Sequence, residues 1–195
     1  MRQYLMVGLL GLMVAPALAE ELTGCASIYE ADPVAATTGF ALSDPRLEQR
    51  GPLLLAGLEE PISVETADRQ IDVLWTRFEQ RNQWIVNAES DNRTGVCFNG
   101  GAGGFDYFAG QVLSGPAENL PEAFSTIDLA ANSYAVFTLT GQATDISAAH
   151  ALIYQVKLAQ AGLVATDAPD LLVFPPGFSP AQRNVEIELW VPVAQ

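Results

Sequence analysis

The spacing of apolar residues predicts an amphipathic helix in the first half of the chain. Four apolar side chains recur at positions i, i+3, i+4 and i+7, which places them on one helical face. They are Ile71, Leu74, Trp75 and Phe78. Thr66 is a residue type that favours the N-cap position, so we expect the helix to begin next to it.

Strands are predicted on both sides of this helix. The apolar run at residues 53–58, which we extend to residue 64, has the length of a strand. Residues 95–98 and 105–113 predict two further strands, and the glycine-rich segment 99–104 predicts the turn between them. The first half of the chain therefore has the order strand–helix–strand–strand.

The second half of the chain repeats this order. Alternating apolar and polar residues at 133–140 predict a strand. A stripe of apolar residues predicts a helix over 144–160, and Gly162 suits its C-terminal stop. Residues 171–174 and 185–193 predict the last two strands.

Two βαββ units in tandem, at 51–113 and 133–193, predict an α+β fold with pseudo-twofold symmetry within a domain at 51–195. Each unit has one amphipathic helix that cannot bury its apolar face alone. We therefore expect an antiparallel sheet, or two abutting sheets, covered by two helices, with a ligand cleft between the repeats. Residues 20–50 show little periodicity and predict an irregular N-terminal arm, with a short strand at 35–42.

The first 19 residues have the three-part pattern of a secretory signal peptide. Arg2 supplies the positive end, residues 5–14 are apolar, and small residues precede a cleavage site after Ala19. The apolar run is shorter than the roughly 20 residues that a transmembrane helix needs. We therefore expect the cleaved chain (residues 20–195) to be periplasmic or secreted, without stable membrane insertion.

Two cysteines, Cys25 and Cys97, follow the predicted signal peptide. An even number of cysteines in an oxidising compartment predicts a disulfide bond between them. A lipoprotein is the alternative, because residues 22–25 match a lipobox in composition. A lipidated Cys25 would have no thiol to share, and two glutamates separate it from the apolar run, so we favour the disulfide.

The composition of the chain excludes several kinds of partner and catalytic site. The chain has 23 acidic and 9 basic residues and a net charge of −14, which argues against a nucleic-acid partner. His150 is the only histidine, so histidine-based triads are excluded and a metal site would depend on carboxylates and one imidazole. We predict neither a metal nor a cofactor, and we interpret His150 as a helix-face residue at the edge of the core. Axial ligation of haem by His150 is the alternative.

Five segments of the chain occur in an order that points to a known family. They are RQIDVLWTRF, GFDYFAGQVL, NSYAVFTLTG, PDLLVF and IELWVPV. In this order, over residues 51–193, they resemble the GyrI-like small-molecule-binding domain, which is also the effector-binding domain of many AraC-type and MerR-type transcription regulators.

The resemblance implies an aromatic cleft that binds bulky, often cationic, amphipathic compounds. Aromatic faces attract an organic cation, and a carboxylate supplies the counter-charge. The implied aromatic lining residues are Trp75, Tyr107, Phe137, Tyr154, Phe174 and Trp190. We take Glu186 as the lining carboxylate, with Asp106 and Glu188 as the other candidates.

The chain departs from the family pattern in the segment PDLLVF. Many relatives carry a glutamate two residues after the aspartate, where this chain has Leu172. We expect Asp170 to point in a different direction, because side chains alternate along a strand. A neutral hydrophobic ligand is therefore nearly as well supported by the sequence as a cation.

These observations favour a stand-alone, non-catalytic binder of a bulky amphipathic or hydrophobic small molecule in the periplasm. The first alternative is a hydrolase of reactive hydrophobic compounds that uses Glu186, Asp106 and Tyr107. The second alternative is a module that interacts with another envelope protein through its acidic surface.

Overall fold

The computed structural model describes residues 22–29, 39–179 and 181–194. The predicted signal peptide and the first half of the predicted strand at 35–42 lie outside these ranges. Nine strands occur in the described part of the chain. They are β1 (Ala41–Leu42), β2 (Arg46–Arg50), β3 (Leu53–Ser63), β4 (Arg93–Gly101), β5 (Gly104–Val112), β6 (Ser125–Leu129), β7 (Asn132–Gly141), β8 (Asp170–Phe174) and β9 (Val185–Pro192).

The helical elements pack on one face of the strands. The α-helices are α1 (Ala26–Tyr29), α2 (Ala67–Glu79), α3 (Ile146–Leu152) and α4 (Leu158–Gln160). A π-helical turn at Ile153–Lys157 joins α3 to α4, and 3₁₀ turns precede α2 and α3. The single helix predicted over 144–160 is therefore continuous in the chain but changes its hydrogen-bond pattern in the middle.

The strands form one antiparallel sheet in the order β6-β3-β5-β4-β8-β9-β7, with β1 and β2 both paired to β7. The first unit contributes β3-β5-β4 and the second contributes the equivalent β7-β9-β8. The two units join where β4 pairs with β8, with Gly95 opposite Leu172. This arrangement confirms the predicted α+β fold with two βαββ units related by a pseudo-twofold axis.

The main core lies between the helices and one face of the sheet. Leu74 and Phe78 of α2 and Ile153 of the second helical segment are fully buried in it. This is the apolar stripe that the sequence predicts for α2. The two helices thus cover the sheet on the same side, one over each unit.

The opposite face of the sheet holds a second core made only of strand residues. Two short links, 50–53 and 129–132, connect strands at opposite ends of the sheet, and their end residues pair across it. Three Cα–Cα steps span at most about 11 Å. The sheet must therefore curl until its two ends approach each other, and the second core fills the inside of this curl.

Strands also occur in the predicted irregular arm and in residues 114–132, for which the sequence predicts no element. The arm at 20–50 contributes α1, β1 and β2, and the connector at 114–132 contributes β6. These are short strands at the ends of the sheet whose side chains are largely exposed. β2 buries few apolar groups and lacks the alternation that predicts a strand, and in β6 the alternation covers only the four residues 126–129.

The predicted pairing of the cysteines is present. Cys25 and Cys97 form a disulfide bond, with their Cα atoms 5.9 Å apart. The Gly100 amide donates to the Gly24 carbonyl at 2.9 Å, so backbone hydrogen bonds reinforce the link. The bond and these contacts hold α1 against β4.

In the ranges above, no helix is both long enough and apolar enough to cross a bilayer.

Candidate functional site: a cavity between the two helices

A cavity of about 620 Å³ opens on the helix-covered side of the sheet, above the line where β4 meets β8. Residues 64–69, 71, 72 and 75, at the start of α2, form one wall, and residues 143, 144, 146 and 147, at the start of α3, form the facing wall. Cys97 and Leu172 lie in the floor. The cavity therefore lies between the two repeats, as the fold predicts.

Three of the predicted aromatic residues meet in this cavity. Trp75, Tyr107 and Phe174 all line it. The ring of Trp75 makes edge contacts with Phe174 at 5.4 Å and with Tyr107 at 6.5 Å between ring centroids. Edge-to-face packing of this kind holds the rings in place and leaves ring surface available to a ligand.

Gly95 determines where the Tyr107 ring lies. Tyr107 is on β5, and its side chain crosses the neighbouring strand β4 at Gly95. A Cβ atom at Gly95 would overlap the Tyr107 hydroxyl and ring. The absence of a side chain at residue 95 therefore allows Tyr107 to reach the line between the repeats.

Tyr154 lies behind the cavity wall rather than in it. Its hydroxyl donates a hydrogen bond of 2.6 Å to Oδ1 of Asp170. Tyr29, which does line the cavity, stacks on Tyr154 with ring centroids 5.7 Å apart and on His150 at 4.7 Å. Tyr29 therefore lies between the cavity and the Tyr154–Asp170 pair. Sequence reasoning missed Tyr29, because it precedes the segments that carry the family resemblance.

Asp170 is fully buried on the helix-covered face of the sheet. Among the described residues, its Oδ2 atom has no hydrogen-bond partner. Burial raises the pKa of the carboxyl group to about 7, although the hydrogen bond from Tyr154 acts in the opposite direction. The expectation that Asp170 points away from the position of Leu172 is wrong. Alternation along a strand puts residues two apart on the same face, so Asp170 and Leu172 share it.

His150 is also completely buried, and its ring stacks on that of Tyr29. Burial lowers its pKa to about 4, and the backbone of Ile146 offsets only part of this effect. The imidazole is therefore neutral at physiological pH, and its place is inside the core rather than at the core edge.

Carboxylates also lie on the α2 side of the cavity. Glu65, Asp68 and Asp72 line it, and among the described residues Arg69 is the single basic side chain in the lining. Burial and the nearby Asp68 raise the pKa of Asp72. This side of the cavity is therefore net negative at neutral pH.

Other predicted site residues lie elsewhere. Phe137 is fully buried in the main core. Trp190 is 7% exposed and lies on the opposite face of the sheet, in a separate cavity of about 370 Å³, where its indole N–H donates to Glu188 at 2.9 Å. Glu186 is on the same side as Trp190, because the two are four residues apart on β9. None of these residues lines the cavity between the helices.

The residues proposed for hydrolysis are not brought together. Asp106 faces away from its neighbour Tyr107 and accepts a hydrogen bond from the Asn99 amide at 2.8 Å. Of Glu186, Asp106 and Tyr107, only Tyr107 lines the cavity. The alternation pattern separates the two faces of each strand but does not say which face the helices cover, and this caused the misplacement of Glu186 and Trp190.

In the described ranges, no three His, Cys, Asp or Glu side chains are grouped so that they could hold a metal ion.

Comparison with known proteins agrees with the geometry. The family model for integron-associated effector binding proteins matches residues 46–193. The transcriptional regulator BrlR of Pseudomonas aeruginosa is 31% identical over 126 residues, which are 63% of this chain. The matched part is 46% of that regulator, so the chain spans less than half of its length.

Two solved structures share the fold. SAV2435 bound to tetraphenylphosphonium has a TM-score of 0.60 and 21% identity, over 78% of this chain and 94% of that one. An integron cassette protein from the mobile metagenome of Vibrio cholerae has a TM-score of 0.53 and 12% identity, over 80% and 99% of the two chains. At this level of identity the likeness concerns the fold. Together with the family match, it confirms the GyrI-like resemblance: the chain belongs to the family of integron-associated effector binding proteins.

Proposed function

We propose that the protein binds a bulky amphipathic organic cation in the cavity between its two helices, outside the cytoplasm and without chemical conversion of the ligand. The observation that carries this proposal is the combination of an aromatic cavity with carboxylates on its α2 side and behind its wall.

The size and lining of the cavity suit a multi-ring organic molecule. Its volume of about 620 Å³ falls in the range of pockets that enclose drug-sized ligands. Trp75, Tyr107 and Phe174 present ring surfaces on which aromatic groups can pack. A cation over such a ring gains about 0.5–2 kcal/mol.

The charge distribution favours a cation over an anion or a neutral ligand. Among the described lining residues there are three carboxylates against one guanidinium, and the buried Asp170 adds a carboxyl group behind the cavity wall, where a cation in the cavity favours its ionised form. Asp170 thus replaces, from a position two residues away, the glutamate that relatives carry at the position of Leu172. That the structural neighbour SAV2435 is described with tetraphenylphosphonium supports the same ligand class.

The position of the carboxylates supports binding rather than hydrolysis. Neither Glu186 nor Asp106 lines the cavity, so the two carboxylates named for the hydrolytic alternative do not reach a ligand bound there.

Isothermal titration with two ions of matched shape tests the ligand class. Tetraphenylphosphonium and tetraphenylborate differ chiefly in the sign of their charge. We expect the cation to bind at least about tenfold more tightly than the anion, a difference of about 1.4 kcal/mol. Equal affinities, or no binding of the cation, would contradict the proposal.

A pair of tryptophan variants tests the place of binding. Trp75 lines the cavity, whereas Trp84 is 63% exposed and lies outside it. Trp75→Ala is expected to weaken binding of tetraphenylphosphonium by about tenfold, in line with the loss of one cation–π contact. Trp84→Ala is the matched control and should leave the affinity unchanged.

The export part of the proposal rests on the signal-peptide pattern of residues 1–19, and the Cys25–Cys97 disulfide supports it because such bonds persist in oxidising compartments. Cell fractionation followed by N-terminal sequencing is the test. We expect a periplasmic or secreted protein that begins at Glu20. An uncleaved chain in the cytoplasm, or a lipid on Cys25, would contradict this expectation.

A further inference from the structure

The segment 25–29 lies outside the stretch that matches the family model, yet it forms part of the cavity wall. The match begins at residue 46. Ile28 and Tyr29 line the cavity, and Cys97, the disulfide partner of Cys25, lies in its floor. The binding site of this chain therefore includes a part that the family pattern does not contain.

Several contacts hold this segment in place besides the disulfide. The Gln155 side-chain amide donates to the Tyr29 carbonyl at 2.8 Å, and the Ser27 hydroxyl donates to the Gly100 carbonyl at 3.3 Å. Gly100 permits the close approach, because a Cβ atom there would lie 2.8 Å from the Cα atom of Cys25. The segment is thus held at Cys25 by the covalent bond to Cys97 and at Tyr29 by the hydrogen bond from Gln155.

Tyr29 has a definite position relative to the buried carboxyl group. Its ring stacks on His150 and Tyr154, whose hydroxyl donates to Asp170, while its other side is exposed to the cavity. Asp170 is 0% exposed, and one of its oxygens has no hydrogen-bond partner in the part of the chain that the structure describes. Tyr29 therefore covers the group that carries the counter-charge and offers the ligand an aromatic surface in front of it.

We propose that segment 25–29 is a working part of the binding site: Tyr29 contacts the cationic ligand, and the Cys25–Cys97 bond sets the affinity by holding Tyr29 in place over Asp170. This inference rests on the proposed cation-binding function and adds a redox dependence to it. Without the disulfide, only the weaker contacts of the segment oppose its release from the wall.

Reduction of the disulfide is the first arm of the test. Dithiothreitol transfers two electrons and two protons to the Cys25–Cys97 bond, gives two thiols, and is itself oxidised to a cyclic disulfide. We expect the affinity of the protein for tetraphenylphosphonium to fall about fivefold on reduction, the loss of one aromatic contact. A Cys25→Ser/Cys97→Ser double variant should bind as weakly as the reduced protein, with or without dithiothreitol.

The second arm keeps the disulfide intact, so that a general loss of stability cannot imitate the result. Tyr29→Ala is expected to weaken binding by about as much as reduction does, and Tyr29→Phe, which keeps the ring, should bind within about twofold of the wild type. Thermal denaturation of each form establishes that the binding measurements are made on folded protein.

The outcomes separate the inference from the function on which it rests. If oxidised wild-type protein does not bind tetraphenylphosphonium, the proposed function fails. If it binds, but neither reduction nor Tyr29→Ala changes the affinity by more than about twofold, the function stands and the role of segment 25–29 is overturned.

Discussion

At the scale of single residues, the surroundings of Asp170 determine the pKa of its carboxyl group. It is buried on the helix-covered face, next to Tyr154 and behind Tyr29, and burial raises its pKa to about 7. The sequence shows an aspartate at the start of a strand and nothing of this environment. The same side chain on the exposed end of a strand would be ionised at every physiological pH.

The raised pKa of Asp170 predicts a specific pH dependence of stability. The folded protein holds the proton of Asp170 more tightly than the unfolded chain does. The contribution of this protonation to the stability of the fold is therefore complete below about pH 4 and is lost as the pH rises through about 7. The side chain of the Asp170→Asn variant cannot ionise. We therefore expect the free energy of unfolding of this variant, relative to that of the wild type, to rise by about 2 kcal/mol from pH 5 to pH 8.

Urea denaturation of both proteins at the two pH values measures this difference. The opposite contribution of His150, whose pKa is lowered to about 4, is present in both proteins and cancels. A difference that stays constant with pH would show that Asp170 is not held protonated.

Gly95 gives a second prediction at this scale. Gly95→Ala introduces a Cβ atom into the space of the Tyr107 ring, which must then move away from the line between the repeats. We expect a loss of about 1–3 kcal/mol in stability and weaker binding of tetraphenylphosphonium. Gly103→Ala is the control, since a Cβ atom at Gly103 meets nothing within 4 Å and both quantities should stay as in the wild type.

At the scale of elements, α2 contributes both to the main core and to the wall of the cavity, through neighbouring residues of one apolar stripe. Leu74 and Phe78 are buried against the sheet, while Ile71 and Trp75 of the same stripe lie at the cavity. The helical period therefore places core and site side by side on one surface. A helix whose core contacts fail can no longer position the wall of the cavity.

Phe78→Ala tests this coupling. Phe78 is fully buried, and its ring supports Trp75 through an edge contact at 5.4 Å. Removal of a buried phenylalanine ring costs about 3–5 kcal/mol of stability, and we expect the affinity for tetraphenylphosphonium to fall as well. Val73→Ala, at an exposed position of the same helix, should change stability by less than about 0.5 kcal/mol, as measured by urea denaturation.

At the scale of the whole molecule, the cavity exists because two similar units meet at β4 and β8. Each unit contributes the start of one helix and part of the floor, and neither unit contains the whole lining. The net charge of −14 surrounds this cavity with a negative potential that acts beyond the lining residues.

The long-range part of this potential predicts a salt dependence. Added salt screens charges that lie beyond the screening length, which is about 10 Å at 0.1 M. Between 0.05 and 0.5 M NaCl we expect the affinity for tetraphenylphosphonium to fall by about threefold and that for tetraphenylborate to stay level or rise. Isothermal titration over this range measures both, and a cation affinity that is independent of salt would confine the electrostatic contribution to the buried Asp170.

Much of the fold was predictable because its elements obey strong periodicities. The stripe of α2, the alternation in β7 and β9 and the two-unit order follow from burial of one face, which constrains side-chain type at regular intervals. The short strands β2 and β6 escaped prediction because they are held by pairing at the ends of the sheet and bury few side chains, whereas β1 is the last part of the strand predicted at 35–42.

The site was predictable only in part. Trp75, Tyr107 and Phe174 line the cavity as expected, whereas Trp190 and Glu186 lie on the other face of a curled sheet that has a second core of its own. Alternation of apolar and polar residues shows which face of a strand is buried when only one face is. When both faces are buried, the sequence of the strand does not show which face the helices cover.

The sequence by itself determined the two βαββ units, the family and the aromatic character of the site, because local periodicity and residue order record them directly. The tertiary structure alone decided that Asp170 is buried, which raises the pKa of its carboxyl group to about 7, and that the segment joined to Cys97 through Cys25 brings Tyr29 to the cavity wall. These properties arise where β4, β8, α1 and α3 converge. The electrostatic field, the packing and the desolvation at that place depend on all four elements together, so no single segment of the sequence shows them.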